Sequence, residues 1–172
     1  MIEQKVSCGL CRACCINLTI MSGEDPEESR KVKTWISSGE EEKPAGVPCP
    51  QLNPNKMKLG CSIHANPDKP SLCSAYLCSY AVGVFGNVPM LRPDNLGIIA
   101  DVYEGRVRIT EIQPKRLESS LVKKTIWKLK EMASRMEGEW VLEIIPYELM
   151  GSKLGTHTPI IPANKLSIGG KK

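Results

Sequence analysis

The stretch Cys8-Gly9-Leu10-Cys11-Arg12-Ala13-Cys14-Cys15 constrains this chain more than any other, because it places four of the eight cysteines within eight residues. The others are Cys49, Cys61, Cys73 and Cys78, and none follows position 78. Thiolates are soft ligands, and several together select zinc, copper(I) or iron–sulfur clusters. A lone cysteine reads as a small buried apolar residue. Four in eight residues do not, so we read all eight as metal ligands.

The spacing narrows the choice of metal. A C-x2-C turn brings two sulfurs within reach of one ion, which suits tetrahedral zinc. Cys8-x2-Cys11-x2-Cys14 presents three sulfurs from one loop, the spacing of bacterial 4Fe-4S ferredoxin loops, in which a remote fourth cysteine precedes proline. Cys49-Pro50 has that form. These two features favour a 4Fe-4S iron–sulfur cluster, with zinc as the alternative. Eight thiols fill two four-sulfur sites, or one site with a reserve. An extended backbone would turn Cys15 away from Cys14, so the division of the sulfurs stays open.

Composition agrees with a fold that metal organises. The 172 residues make one domain or two very small ones. Hydrophobic residues are 41% but aromatics only 5%, so the core is aliphatic and thin. Small domains of that kind rely on disulfides or metal. The formal net charge of +4 is not that of an obligate nucleic-acid binder, and four thiolates around a dipositive ion, with a net charge of about −2, would lower it further. No basic start leads into an apolar run at the N-terminus, and no apolar run approaches membrane-spanning length. The expectation is a cytoplasmic protein without a membrane segment, and in the cytoplasm clustered cysteines bind metal more often than they form disulfides.

Taken in order, residues 1–7 read as an extended lead-in and the cysteine octet as a loop. Ile16 to Ile20 alternates like a brief strand. Asp25 is an N-cap, Pro26 a first helical residue and Glu27-Glu28 an acidic first turn. Val32, Trp35 and Ile36 form the apolar stripe of that helix, and Gly39 ends it. Residues 40–48 read as a charged loop, 49–58 as turns, 58–64 as a short strand through Cys61. Pro70 or Ser71 opens a short helix carrying Cys73, Tyr76 and Leu77. Beyond Gly83 the pattern becomes conventional. Arg92 to Asn95 is a turn, Gly97 to Tyr103 a strand, Glu104-Gly105 a hairpin turn and Arg106 to Ile112 an alternating strand. Pro114 opens a long helix to about Met136, with a stripe running from Leu117 through Leu121, Val122, Ile126, Leu129, Met132 and Ala133 to Met136. Trp140 to Ile145 is a further strand, and Pro159 to Pro162 an edge segment. The fold class is therefore α+β: a metal-organised, loop-rich half over residues 1–83, and over 84–172 a small antiparallel sheet with one long helix in the order β-β-α-β, packed on it.

The cysteine pattern resembles a known family. Cys8-x2-Cys11-x2-Cys14-Cys15, Pro48-Cys49-x2-Leu52, Cys61-Ser62-Ile63-His64 and Lys69-Pro70-x2-Cys73-x2-Tyr76-x-Cys78 follow, in order, the four blocks of the CxxCxxCC family of zinc- or iron-chelating proteins. All eight cysteines match, across residues 8–78. The chain departs from the family at His64, where tyrosine is usual, at Lys69 and Ser74, where arginine is usual, and at Tyr76, where phenylalanine is usual. The resemblance implies metal chelation and no settled reaction. Distant relatives in that family are flagellin lysine N-methylases, yet this chain has no glycine-rich loop for S-adenosylmethionine.

The other candidates have plainer readings. His64, three residues after Cys61, reads as a packing replacement for tyrosine before a ligand. His157 reads as a surface residue. Two histidines cannot supply a nucleophilic triad. Glu40-Glu41-Glu42 is a solvated run. Lys115, Arg116, Lys123, Lys124, Lys128 and Lys130 form the outer face of the long helix, and Trp127 reads as core. No catalytic residue is assigned. The first expectation is thus a metal-binding protein whose metal is chiefly structural. Its rivals are a redox or methylase-like enzyme, and an assembly protein that meets a protein partner through its C-terminal region, where a strand edge could pair. Nucleic acid and membrane are not expected partners.

Overall fold

The computed structural model describes residues 11–21, 24–53, 60–63, 66–71, 73, 78–86, 88–150 and 155–160. The chain falls into two units, Met1–Asn87 and Val88–Lys172. The lead-in, Cys8, His64, the helix sought around Tyr76 and Leu77 and the tail from 161 lie outside the described residues, as do 58, 59 and 64 of the strand sought over 58–64; its described residues, 60–63, form a single bridge at Cys61 followed by a turn, not a strand.

In the first unit, helix α1 spans Ala13–Asn17 and strand β1 spans Ile20–Met21. The octet is therefore not all loop, and the alternation at 16–20 is not a strand throughout: Ile16 and Asn17 still belong to α1. Helix α2, Pro26–Trp35, begins as its sequence dictates. The Asp25 carboxylate accepts from the N–H groups of Glu27 and Glu28, at 2.8 and 2.9 Å. Such a cap contributes about 1 kcal/mol. At the other end the Gly39 N–H reaches back to the Lys33 carbonyl at 2.8 Å, with Gly39 in the left-handed region at φ +101°. Strand β2, Glu42–Lys43, pairs antiparallel with β1 through Ile20–Lys43 and Met21–Glu42. This corrects the reading of 40–48 as loop only. The core beneath α2 consists of Val32, Ile36, Cys49 and Ile63, with Cys15, Ile20, Trp35, Leu52 and Cys61 packed against it. Sulfur is thus a building material of this core.

In the second unit, a one-turn helix α3, Pro93–Leu96, stands where a turn was expected, and left-handed Gly97 ends it. Strands β3, Ile98–Tyr103, and β4, Arg106–Glu111, form the expected hairpin. Its two turn residues, Glu104 and Gly105, both have positive φ, as a two-residue hairpin requires. Helix α4 spans Ser120–Ser134, strand β5 Trp140–Ile145 and strand β6 Thr156–Ile160. The sheet order is β3-β4-β5-β6. The α+β class holds, but the sheet is mixed instead of antiparallel, because β4 and β5 run parallel. The helix between them carries the chain back to the end from which β4 began, and this makes the next strand parallel. Pro159 sits on edge strand β6, where its missing N–H costs no ladder bond.

Helix α4 starts later than the pattern suggested. Lys115 is left-handed, Arg116–Glu118 make a single 3₁₀ turn, and Ser119 precedes the helix. Glu111 explains the delay. This buried carboxylate accepts from the N–H groups of Leu117 at 2.9 Å and Tyr147 at 3.0 Å, holding both segments to the end of β4. Val122, Thr125, Leu129 and Ala133 are the buried face of α4. Trp127 is not core: it is 60% exposed. At 100° per residue it lies about 140° around the helix from Val122. Replacing Glu111 with Ala would take the acceptor from two partly buried N–H groups. The expected cost to the second unit is about 2–4 kcal/mol, with a smaller loss for Glu111→Gln, read by urea unfolding of the full chain.

Candidate metal centre

The cysteines reach their places through local backbone bonds. Cys14 and Cys15 sit on α1, whose turn is closed by Ile16 N–H to Arg12 O and Leu18 N–H to Cys14 O, each at 3.1 Å. Helical backbone separates their side chains by about 100°, so they do not point in opposite directions as an extended chain would make them. The Cys15 carbonyl accepts from the Cys49 N–H at 3.1 Å. Leu52 N–H then bonds Cys49 O at 3.0 Å, and Leu52 pairs with Cys61 in an antiparallel bridge flanked by Ser62 N–H to Gln51 O at 2.8 Å. One continuous set of bonds therefore brings Cys15, Cys49 and Cys61 to the apolar core under α2.

Cys73 is tied in differently. Its N–H bonds Pro70 O at 3.1 Å, and the neighbouring Ser71 N–H donates to Glu28 Oε2 on α2 at 2.7 Å. That bond holds the Glu28 carboxyl below the usual carboxylate range. Glu28 thus does more than favour the start of its helix. Cys78 is buried at the head of a turn in which Val82 N–H bonds its carbonyl at 3.1 Å. Cys11 is half-buried just before α1. All seven described cysteines are thiols outside any disulfide.

Their electrostatics are those of a crowded sulfur cluster. Burial pushes the Cys49 thiol up, a backbone hydrogen bond from Gln51 pulls it down, Cys61 raises it again and Lys43 lowers it. Cys73 is exposed as a residue, yet enough protein surrounds its sulfur that desolvation, followed by the charges of Cys49 and Cys61, pushes it up to about 11. Cys49, Cys61 and Cys73 therefore feel one another's charge. Among the described residues, no group of three or more His, Cys, Asp or Glu is arranged to hold a metal ion as it stands.

Residues 7–91, which take in all eight cysteines, match the CxxCxxCC family, described as a "putative zinc- or iron-chelating domain". This half of the chain is a CxxCxxCC domain. No curated protein and no solved structure matches the chain. The donor set of the CxxCxxCC domain fits a thiophilic metal, since the described thiols that sense one another are all soft ligands. Two further residues were not legible as part of it. Ser79, beside Cys78, is 2% exposed and its Oγ has no hydrogen-bond partner. A buried hydroxyl left so is costly, and a thiolate sulfur is a partner of the right kind. Lys43, within what the sequence presents as a charged loop, is buried near Cys15 and Cys49. His157 is exposed, as expected, on β6, with Nε2 3.8 Å from Glu143 Oε1. Among the described residues no helix is long and apolar enough to cross a membrane.

The raised Cys73 thiol sets a sign for pH dependence. Its ordinary value is 9.0 and its folded value about 11, so the unfolded chain loses this proton first as pH rises. The stability it contributes is complete below pH about 9 and is lost on the way to about 11. In any metal-free chain that is still folded, the rate of thiol alkylation at Cys73 should rise with pH toward about 11, later than the same curve in urea. Coincident curves would show that Cys73 is not held protonated.

Proposed function

We propose that the CxxCxxCC domain holds its metal through Cys8, Cys11, Cys14, Cys15, Cys49, Cys61, Cys73 and Cys78, and that the metal's chief task is to fold residues 8–78. The observation that carries this reading is the meeting of Cys15, Cys49 and Cys61 on one small apolar core, with Cys73 close enough to sense two of them. That core is too slight to order so many proline- and glycine-containing loops, and metal binding free energy is folding free energy where no site exists in the unfolded chain. Bound metal supplies cross-links between distant stretches of backbone. The chain's part is to present thiols, give up their protons and exclude water from the sulfurs.

A 4Fe-4S cluster is favoured over zinc by the Cys8, Cys11, Cys14 triple and the Cys49-Pro50 pair. A cytoplasmic location belongs to this reading, because thiolate ligands persist where thiols are kept reduced. Anaerobic purification with metal analysis decides between the metals. A brown protein absorbing near ~400 nm carries iron–sulfur, and a colourless one with stoichiometric zinc replaces it. Reversible bleaching by a reductant would move the reading toward electron transfer. Cys11→Ser should lose metal and unfold residues 8–78 by hydrogen exchange. Full secondary structure and an unchanged Tm after metal loss would overturn the structural role.

A second reading, an assembly role for residues 84–172, is supported by Trp127, which stands 60% exposed on the outer face of α4. An apolar ring of that size in the open suits a protein partner. Light scattering of the full chain should then show self-association that Trp127→Ser abolishes, or a monomer that leaves the ring for another protein.

A further inference from the structure

Lysine is almost never fully buried unless it is paired. Lys43 is 2% exposed, and among the described residues no carboxylate pairs with it. Three acids, Glu40, Glu41 and Glu42, stand immediately before it in the chain, yet all three are exposed and Glu41 pairs with Lys33 instead. Strand pairing causes this. Lys43 lies opposite Ile20 in the β1–β2 ladder, and side chains alternate along a strand, so Glu42 faces solvent and Lys43 faces in. Its Nζ donates to the carbonyls of Ile16 at 3.3 Å, Pro44 at 2.8 Å and Val47 at 2.7 Å.

Those three carbonyls satisfy its three N–H groups but leave its charge uncancelled. A buried cation without an anion is costly, and a neutral side chain could fill the same space. The anchors say what the missing anion is. Ile16 directly follows Cys15, and Val47 lies two residues before Cys49. The Cys49 N–H bonds the Cys15 carbonyl at 3.1 Å, so the ammonium sits where the two cysteine-bearing segments are joined. Burial pushes the ammonium's pKa below the lysine range, while the charges of Cys49 and Cys15 act to raise it. Four thiolates on a dipositive ion carry a net charge of about −2, an anion of the kind this cation lacks.

We infer that Lys43 is the resident countercharge of the cysteine cluster, a cation fixed between the Cys15 and Cys49 segments that offsets the negative charge of their thiolates when metal is held. The inference rests on the reading of the cysteines as ligands. Lys43 is a positioning residue in this scheme and touches no metal. Its charge matters, beyond its hydrogen bonds, and this separates it from a lysine that merely caps carbonyls.

The test uses cobalt(II) as the probe, titrated without oxygen into the full chain. Thiolate-to-cobalt charge-transfer absorption reports both the number of sulfur ligands and the affinity. Lys43→Gln keeps a donor for the carbonyls and removes the charge. Lys43→Arg keeps the charge and disturbs the fit. Lys43→Gln should reach the wild-type absorption at saturation but bind about tenfold more weakly, with Lys43→Arg within about threefold of wild type. Unchanged affinity in Lys43→Gln overturns the inference, and so does an equal loss in both variants. Should Lys43→Gln not fold, Lys43→Arg decides: wild-type affinity sustains the inference and weakened binding overturns it. A wild-type protein that takes up no cobalt contradicts the ligand reading itself and removes this inference with it.

Discussion

A backbone hydrogen bond from Cys49 to the Cys15 carbonyl closes a long loop across a core that has little else to close it. Around it, the first unit collects what a small domain can bury: Val32, Ile36 and Ile63 supply hydrocarbon, and Cys15, Cys49 and Cys61 supply sulfur. Each buried aliphatic side chain contributes roughly 1.5–3 kcal/mol, which a few residues cannot multiply into a stable fold against the entropy of ordering the loops. The thiols therefore do two things at once. They pack as small apolar groups while protonated, and they are the groups that metal can cross-link.

Helix α2 is the scaffold on which this core is assembled. Asp25 caps it, one face provides Val32 and Ile36, and Glu28 extends to the Ser71 N–H, so the segment leading to Cys73 is anchored to the same helix that packs against Cys49. Lys43 completes the arrangement from the β1–β2 pair. A domain that concentrates negative charge on sulfur gains from a positive charge placed inside, where water does not screen it.

The second unit follows different rules. Its core is aliphatic, its helix lies on β4, β5 and β6, and its buried Glu111 is satisfied by two backbone N–H groups. Directly paired residues Asp101, Arg108, Glu143 and His157 form a row of polar side chains across all four strands, with Arg108 Nε 2.6 Å from Glu143 Oε2. No cysteine lies in this unit. The family match accordingly stops at residue 91, just inside it.

What the sequence determined by itself was local in origin. Thiol chemistry and C-x2-C spacing need only neighbouring residues, and so do the Asp25-Pro26 helix start, the Glu104-Gly105 turn and the strand that begins at Trp140. Tertiary structure decided the rest. Glu111 delays α4 by holding Leu117, a residue six positions away whose N–H no pattern flags. Strand order made β4 and β5 parallel, and helix rotation put Trp127 outside. Lys43 reads as one more charge in a solvated run, because its burial depends on pairing with Ile20, more than twenty residues earlier. Charge is visible in a sequence, but its environment is set by non-local contacts, and the environment is what turns a surface lysine into a buried countercharge.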